Sequence, residues 1–247
     1  MPHEHGPRCA RCGRPLELFT LDLPFGLGPR SWPGECACEA ERREAEAREH
    51  RHQEHERKVQ RLLRSSGIGL RHRDAGFDTF EVTPVTRPVV EVCRAFAEAF
   101  PEGGKGLTLA GPPGTGKTHL GVAITRALIE RGFRAVIVNV PHLFLTFRSS
   151  FHGAAPQRFD ETLDLLTTCD HLVLDDLGRE RQTEWVQETL YLILNARYEE
   201  RRATTITTNL DLDALRLRLG ETILDRLAET NQAYWCQWPS YRRRNEP

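Results

Sequence analysis

The strongest chemical signal in the sequence is the stretch GPPGTGKTHL at residues 111–120. It follows the apolar run LTLA and precedes a helical pattern, so it fits G-x-x-x-x-G-K-[ST] between a strand and a helix. Its glycines let the backbone approach a ligand closely, and the amides of the loop and of the helix N-terminus converge on an anion. The pattern predicts a triphosphate-binding loop, the Walker A motif, made of these residues: Gly111, Pro112, Pro113, Gly114, Thr115, Gly116, Lys117, Thr118 and His119.

Position 117 carries a lysine in a chain that otherwise uses arginine as its base. Only Lys58, Lys105 and Lys117 are lysines among the 34 Lys and Arg residues. An ammonium is a compact point charge that reaches between β- and γ-phosphates, whereas a planar guanidinium does not fit there. The hydroxyl of the next residue, Thr118, is placed to ligate Mg²⁺. A glycine-rich turn with a chance lysine is the alternative, but it does not explain the flanking strand and helix.

Two carboxylates end a second apolar run, in HLVLDDLG at residues 171–178. In open parallel sheets ligands bind outside the carboxyl ends of the strands, where Asp175 would hold Mg²⁺ and Asp176 would orient or deprotonate the attacking water. A helix N-cap or a surface loop is the alternative for this pair. A third run, ATTITT, ends at Asn209. This residue either positions the water and the γ-phosphate or belongs to an ordinary strand-to-helix turn.

The N-terminal region holds a possible metal site. Four of the seven cysteines form two short pairs that are 23 residues apart: Cys9, Cys12, Cys36 and Cys38. Two such pairs are typical of a tetrahedral zinc site, and the metal would supply folding energy to the Pro- and Gly-rich loop between them. A ligand from His3 or His5, a disulfide, or a site that no longer binds metal are the alternatives. The remaining cysteines are expected to be buried: Cys93, Cys169 and Cys236.

The composition divides the chain into a zinc-binding module at 1–38, a charged helical tether at 39–66 and an α/β domain at 67–247. The tether lacks Gly and Pro and is polar all round, as expected of a helix that bridges domains or stands in solvent. In the α/β domain, apolar runs alternate with amphipathic stretches, which indicates a central parallel sheet flanked by helices. Strands are predicted near 106–110, 134–140, 171–175, 203–208 and 233–238. Helices are predicted near 86–100, 117–131, 141–151, 159–168, 184–201, 211–219 and 221–229.

The overall composition excludes some classes of protein. A formal net charge of −1 over 247 residues gives no global argument for binding nucleic acid or membranes. The N-terminus has no apolar segment typical of a signal peptide, and no run of about 18 apolar residues occurs. Seven cysteines without a secretory signal favour metal binding or burial over a disulfide framework. We therefore expect a cytoplasmic protein with no membrane partner.

The motifs GPPGTGKTHL, LVLDDLG, TTN, ILDRLAE and WPSYR follow one another along the chain. With this series, residues 66–244 resemble the AAA+ ATPases of the bacterial helicase-loader group (DnaC/DnaI type), which share their ATPase core with the IstB transposition helpers. The resemblance implies a P-loop AAA+ core. Only 38 residues follow Asn209, too few for the separate helical lid of most AAA+ proteins, and members of this group also lack that lid.

The resemblance also implies roles for three residues outside the Walker motifs. Asn209 matches sensor 1, Arg226 in ILDRLA matches the arginine finger that acts on a neighbouring subunit, and Arg242 in PSYR matches sensor 2. A surface arginine and the start of a basic tail are the alternatives for the two arginines. Because a finger acts from the next subunit, self-association through the ATPase domain and slow ATP hydrolysis in isolation are expected. Asp176, where many such ATPases have Glu, also favours slow hydrolysis.

The function implied by the resemblance is ATP-dependent loading of the replicative DNA helicase onto single-stranded DNA, in replication initiation or restart. ATP, Mg²⁺ and Zn²⁺ would be the cofactors, and the zinc module would contact the helicase. One alternative is a transposition helper that binds duplex DNA, as the IstB proteins do. Another is a nucleotide-sensing scaffold with negligible hydrolysis.

The helix predicted at 141–151 is the candidate DNA contact, since the resembling group has helices lining the DNA channel here. Arginine and aromatic side chains stack on bases without sequence preference. The aromatic stripe and its neighbours are Leu143, Phe147 and Phe151, with Phe144 and Arg148 beside them. We expect Arg148 and His152 to contact phosphates, whereas burial in the core is the stronger explanation for Leu143 and Phe147.

Overall fold

The computed structural model describes residues 7–24, 28–102, 105–152 and 157–243. The chain divides into two compact units, Met1–Arg57 and Lys58–Pro247. The boundary lies within helix α1, Ala37–Ser65, so the domain bounds at residues 38 and 66 stay predictions. His3 and His5, the alternative metal ligands, lie outside the described residues.

The first unit contains an antiparallel hairpin that was not predicted from the sequence. Strand β1 (Leu18–Leu23) pairs with β2 (Gly28–Pro33). Most residues of both strands are exposed. Neither strand therefore alternates buried apolar with exposed polar positions, and that alternation is the signal by which a strand is recognised from sequence.

Helix α1 agrees with the predicted charged helix and contains no buried residue. It is stabilised locally by exposed pairs one turn apart, such as Arg42 with Glu46 at 3.6 Å. Each such pair contributes only about 0.2–0.5 kcal/mol. Near its end, Val59, Leu62 and Leu63 pack against apolar core residues of the second unit, to which they belong.

The second unit alternates helices and strands as predicted. Its strands are β3 (Gly106–Ala110), β4 (Ala135–Asn139), β5 (His171–Leu177), β6 (Thr204–Thr208) and β7 (Asn231–Trp235). Its helices are α2 (Arg87–Ala99), α3 (Lys117–Glu130), α4 (Val140–His152), α5 (Gln157–Thr168), α6 (Glu184–Glu199), α7 (Leu212–Leu219) and α8 (Glu221–Thr230), with short 3₁₀ turns at Leu70–His72 and Tyr241–Arg243.

The five strands form one sheet in the order β4-β5-β6-β3-β7. All neighbouring pairs are parallel, so every carboxyl end lies at the same edge. After β3 the chain moves to β4 at the far side, while β6 later inserts beside β3. This reversal of strand order beside β3 opens a crevice at the carboxyl edge, where open sheets of this kind bind ligands.

The core lies on both faces of this sheet. On β5, Leu172 and Leu174 belong to the cluster beneath α4, α5 and α6, whereas Val173 packs on the other face with residues that include Val122 of α3. This alternation fixes which strand residues point toward the helices. No helix of the described residues is long and apolar enough to cross a membrane.

Helix α4 contributes three residues of its apolar side to this core. Leu143, Phe144 and Phe147 are all buried, and Phe147 is only 1% exposed. Phe144 is therefore not available to stack on bases in this structure, because its ring packs against Phe147 and Trp185. The side chains of Phe151 and His152 lie outside the described residues.

Candidate functional site

The glycine-rich loop connects β3 to α3 in a left-handed backbone conformation. Gly114 and Gly116 have φ of 84° and 88°, values that side chains with a Cβ rarely adopt. At position 116, a Cβ would also approach the Phe80 ring to 2.6 Å. Since Gly116 is the residue before the first turn of α3, the loop delivers the free amides of that turn to the carboxyl edge of the sheet.

Lys117 is buried at the base of this loop, with 6% of its surface exposed. Its Nζ donates hydrogen bonds to the carbonyl oxygens of Gly111 and Pro112, both at 2.7 Å, and to Thr115 Oγ1 at 3.3 Å. Burial lowers the pKa of this ammonium, and the nearby acidic groups of Cys236, Asp176 and Asp175 oppose that change. The ammonium thus lies inside the loop and is bound by the loop's own backbone.

The two predicted Mg²⁺ ligands are in direct contact. Thr118 Oγ1 donates to Asp175 Oδ1 at 2.8 Å, although 57 residues separate them in sequence. Thr207 Oγ1 of β6 donates to the same oxygen at 2.7 Å and accepts a bond from the Asp176 amide at 3.1 Å. A hydroxyl and a carboxylate fixed by a neighbouring strand form a donor set suited to Mg²⁺.

Asp176 has an unusual backbone, with φ of 57°. It lies in an irregularity of the β5–β6 pairing between Leu174 and Leu177, which turns its side chain away from the strand's alternating pattern. Asn209 Nδ2 lies 3.4 Å from Asp176 Oδ1, and Arg179 Nη1 lies 3.8 Å from Oδ2. Aspartate is among the few residues that tolerate this left-handed conformation, which gives a physical reason for Asp rather than Glu here.

These groups surround a cavity of about 400 Å³ at the carboxyl edge. From the predicted set the lining contains Pro113, Gly114, Gly116, Lys117, Thr118, His119, Asp176, Asn209 and Arg242. Four other residues predicted for this site are outside the cavity lining: Gly111, Pro112, Thr115 and Asp175. The first three make hydrogen bonds within the loop, and Asp175 accepts a hydrogen bond from Thr118.

The C-terminal segment closes one side of the cavity. Trp238 Nε1 donates to the Thr115 carbonyl at 2.9 Å, and the Tyr241 amide donates to the Gly114 carbonyl at 2.9 Å. These bonds place Arg242 at the phosphate loop, even though 125 residues separate it from Lys117. The motif WPSYR thereby brings its arginine to the lining of this cavity, and the role of Arg242 as sensor 2 stays a prediction.

Seven further lining residues were not predicted from the sequence. Five of them come from the segment before α2, namely Arg71, His72, Thr79, Phe80 and Glu81, and the other two are Arg179, after β5, and Tyr241 of the C-terminal segment. Phe80 makes edge contacts with the rings of His119 and Tyr241, and His119 Nε2 bonds the Gly76 carbonyl at 2.8 Å. The stretch GFDTF at residues 76–80 contains two of these lining residues. Its spacing in the sequence does not indicate that it lies beside the phosphate loop.

Arg226 lies apart from all of these residues. It lines a second cavity. This cavity shares no residue with the cavity at the carboxyl edge that contains the phosphate loop, which we call the nucleotide cavity. Its guanidinium stacks over the Tyr198 ring at 4.7 Å, and its Nη2 is 3.7 Å from Glu199 Oε1. An arginine so placed is not available to the nucleotide cavity of its own chain.

Comparison with known proteins agrees with this geometry. The family model of the IstB-like ATP binding protein matches residues 41–247. The chain belongs to this family.

Relatives of this IstB-like protein include proteins named as replicative helicase loaders. It is 30% identical to the replicative helicase loader DnaC of Buchnera aphidicola over 75% of this chain and 76% of that protein. It is 31% identical to the Escherichia coli protein YdaV, over 77% of each chain. The crystal structure of the DnaC helicase loader is similar with a TM-score of 0.60 and 32% identity, covering 68% of this chain and 99% of that chain.

The N-terminal cysteines of the IstB-like protein precede the matched region. The four Sγ atoms lie within 4.8 Å of one another, with Cys9 to Cys38 at 3.6 Å and Cys12 to Cys36 at 3.4 Å. Zinc bound tetrahedrally at about 2.3 Å separates its sulfur ligands by about 3.8 Å. The cluster fits that ion, whereas a disulfide needs about 2.05 Å, and all seven cysteines are free thiols.

Hydrogen bonds among these four thiols give them different pKa values. The backbone amide near Arg14, followed by the thiols of Cys36 and Cys38, lowers the pKa of Cys12 to about 6. Sharing protons with Cys12 and Cys36 raises the pKa of Cys38 above its usual range. Four adjacent sulfurs therefore resist full ionisation by themselves, and a dication that neutralises them would remove this resistance. The other three cysteines are buried, as predicted: Cys93, Cys169 and Cys236.

Proposed function

We propose that the protein is an ATP-dependent loader of the replicative DNA helicase. The observation that carries the proposal is the convergence of Lys117, Asp176, Asn209 and Arg242 on one cavity, in a chain whose relatives are named helicase loaders. Binding to single-stranded DNA, assembly and slow hydrolysis in isolation are parts of this proposal. So is a cytoplasmic location, together with replication initiation or restart as the setting.

The nucleotide cavity supports a division of tasks in ATP hydrolysis. The loop amides and the Lys117 ammonium bind the phosphates, and Thr118 and Asp175 would hold Mg²⁺, which neutralises charge on the phosphate oxygens. Asp176 accepts the proton of the attacking water while Asn209 fixes the orientation of that carboxylate. Arg242 stabilises the negative charge that develops on the transferred phosphoryl group.

The position of Arg226 supports dependence on assembly. Because Arg226 lines a different cavity, we propose that it acts on the nucleotide bound by a neighbouring copy. A cation supplied in this way raises turnover by about 10³–10⁵ in related phosphoryl transfers. A single copy would then hydrolyse ATP slowly, and ATP would hold the loading-competent assembly until hydrolysis releases it.

The N-terminal unit supports the partner part of the proposal. Its hairpin exposes large apolar side chains, with Phe19 and Leu21 both 56% exposed. Exposed apolar residues on a small module are a common basis for protein contacts. We propose that this module, held by zinc, contacts the helicase. For DNA, the half-buried Arg148 on α4 stays the candidate phosphate contact.

A co-purification experiment tests the proposed function. The full chain is mixed with a purified replicative helicase, with ATP and a single-stranded oligonucleotide, and the complex is measured by size-exclusion chromatography with light scattering. We expect a stable complex and transfer of the helicase to the oligonucleotide. Lys117→Ala should abolish the transfer, while Lys58→Ala serves as the matched lysine control.

The same experiment addresses the second candidate, a transposition helper, which the family's IstB-like membership favours. Such a protein would form filaments on duplex DNA with ATP and would not bind the helicase. That result, visible by electron microscopy, would overturn the loader proposal.

Metal analysis tests the zinc part separately. We expect about one zinc per chain by mass spectrometry under non-denaturing conditions, and loss of the metal in Cys12→Ser with Cys36→Ser. Removal of zinc should abolish helicase binding but leave nucleotide binding intact. An unchanged helicase complex after zinc removal would contradict the role of the module.

A further inference from the structure

The cavity that contains Arg226 lies at the edge of the sheet opposite to the nucleotide cavity. It has a volume of about 820 Å³, and its lining includes Lys105 just before β3, Thr204 at the start of β6 and Thr230 just before β7. Because these strands are parallel, all three residues mark amino ends. The two cavities of one chain are therefore separated by the length of the strands.

The lining of this cavity is strongly basic. Its cationic residues are Lys105, Arg197, Arg201, Arg202 and Arg226, and its carboxylates are Glu199 and Glu229. One of the five is not available to a ligand, because Arg197 is 1% exposed and bonds Thr204 Oγ1 and the carbonyl oxygens of Leu166, Cys169 and Ala203. Four cations then face two carboxylates, so the cavity favours an anion carrying more than one charge.

Arg201 has a backbone conformation that its residue type disfavours. Its φ is 51°, a left-handed value at which glycine or asparagine would be expected after the end of α6. Its side chain is exposed and has no hydrogen-bond or ion-pair partner among the described residues, and the same is true of Lys105. This backbone conformation belongs to the end of α6, where the Arg201 amide bonds the Tyr198 carbonyl at 3.0 Å and the Arg202 amide bonds the Arg197 carbonyl at 2.8 Å. The cap fixes the backbone of Arg201 and leaves its exposed side chain available to a ligand.

Arg226 is held in place within the cavity but is incompletely neutralised. Tyr198 lies under its guanidinium, and the Tyr198 hydroxyl bonds Glu229 Oε2 at 2.8 Å, which fixes the ring. Glu199 is 61% exposed, so its 3.7 Å ion pair with Arg226 is weak. The Nη1 of Arg226 is buried and has no hydrogen-bond partner in the described part of the chain.

We propose that this cavity is a polyphosphate-binding site in which Arg201 and Lys105 act with Arg226 on the nucleotide held by a second copy. The proposal rests on the proposed function and extends it by two cations. The triphosphate is a compact multiple anion that matches the charge excess of the cavity. Contact between the carboxyl edge of one copy and the amino edge of the next is a head-to-tail interface, which generates a ring or a helical filament.

A mixing experiment with full-length variants tests this. Lys117→Ala disables the nucleotide site but keeps the basic cavity, whereas Arg201→Gln keeps the nucleotide site. We expect Arg201→Gln alone to turn over ATP at least about tenfold more slowly in the assembled state. An excess of Lys117→Ala protein should then restore turnover severalfold, because it supplies intact arginines to the neighbouring nucleotides.

Three control variants separate charge from structure. Arg201→Gly suits the left-handed backbone and should be as slow as Arg201→Gln, while Arg201→Lys should recover part of the rate. Arg87→Gln removes an exposed arginine from α2, whose partner there is Glu91, and should leave turnover unchanged. Thermal melting curves establish that each variant is folded, and Arg201→Gly replaces Arg201→Gln if that protein is unstable.

The outcomes distinguish this inference from the proposed function. If Arg226→Ala is rescued by Lys117→Ala but Arg201→Gln turns over normally or is not rescued, the inference is overturned and the proposed function stands. If neither is rescued, action between copies itself fails. Normal turnover by Arg201→Gln with weakened binding of a fluorescent single-stranded oligonucleotide would assign the cavity to DNA and would also overturn the inference.

Discussion

The nucleotide cavity and the Arg226 cavity lie at opposite ends of the same strands, and they are assembled from different kinds of group. At the carboxyl edge, consecutive backbone amides, the buried Lys117 and the carboxylate of Asp175 are fixed by hydrogen bonds shorter than 3 Å. At the amino edge, Arg226 is held by ring stacking and one weak ion pair, and the exposed side chains of Arg201 and Lys105 have no partner among the described residues.

The two edges of the sheet are therefore suited to different uses. Preorganised groups at the carboxyl edge bind a ligand with little reorganisation, which suits a site that determines affinity and chemistry in its own chain. Arg201 and Lys105 at the amino edge lose side-chain entropy only when an anion is delivered to them. Such a surface suits a ligand presented by another molecule.

The largest effect is expected for Arg226→Ala. Turnover of the assembled protein should fall by about 10³-fold, because the transition state loses a cation. Affinity for a fluorescent ATP analogue should be unchanged, since Arg226 does not line the nucleotide cavity. Weaker nucleotide binding in the isolated variant would remove the distinction between the two ends.

The next largest effect is expected for Asp176→Asn. Asparagine tolerates the φ of 57° at this position, so the backbone is retained while the base is lost. Single-turnover hydrolysis should slow by about 10²–10³-fold with nucleotide affinity retained. Mixing with Lys117→Ala protein should give no rescue, because this carboxylate serves its own chain; a rescue would place the chemistry between copies.

Lys117→Ala should weaken nucleotide binding by about 100-fold, because the loop loses its one buried ammonium. Isothermal titration calorimetry with a non-hydrolysable ATP analogue measures the change. Lys105→Ala is the informative comparison, since it removes the same charge at the amino edge. Equal losses of affinity in the two variants would contradict the separation of roles.

The smallest effect concerns stability. His171 begins β5 at the amino edge, is fully buried between Phe96 and Phe100, and bonds Thr205 Oγ1 at 2.9 Å. Burial lowers the pKa of His171 to about 3, well below the value of about 6.5 in the unfolded chain. The unfolded state therefore binds the proton more readily, and the stabilisation from this residue is complete above pH 6.5 and is lost as the pH falls toward 3.

At pH 5 the expected loss of unfolding free energy from His171 is about 2 kcal/mol. Urea unfolding at pH 7 and pH 5 measures it, with His171→Gln as the variant that cannot titrate. The variant should be less stable at pH 7 but should show a smaller decrease between the two pH values. Equal decreases in both proteins would mean that the buried imidazole does not cause the acid sensitivity.

Much of the second unit could be predicted from the sequence because its signals are local. The strands at Gly106–Ala110 and Thr204–Thr208 are continuous apolar or β-branched runs between turn residues, and they were found within a residue or two. The loop from Gly111 to Thr118 was predicted because its glycines and lysine are consecutive. The hairpin at Leu18–Leu23 was missed, since both of its faces are exposed and it leaves no alternating pattern.

The phosphate loop, the two carboxylates near the end of β5 and the four clustered cysteines could be predicted from the sequence alone, because each depends on a few residues that are close together in the chain. Knowledge of the fold was needed to find that Trp238 and Tyr241 bind the loop and bring Arg242 to it, and that Arg201 and Lys105 share a cavity with Arg226. These groupings depend on strand order and on side-chain packing between distant segments. The local pattern of apolar and polar residues does not specify which strands become neighbours in the sheet.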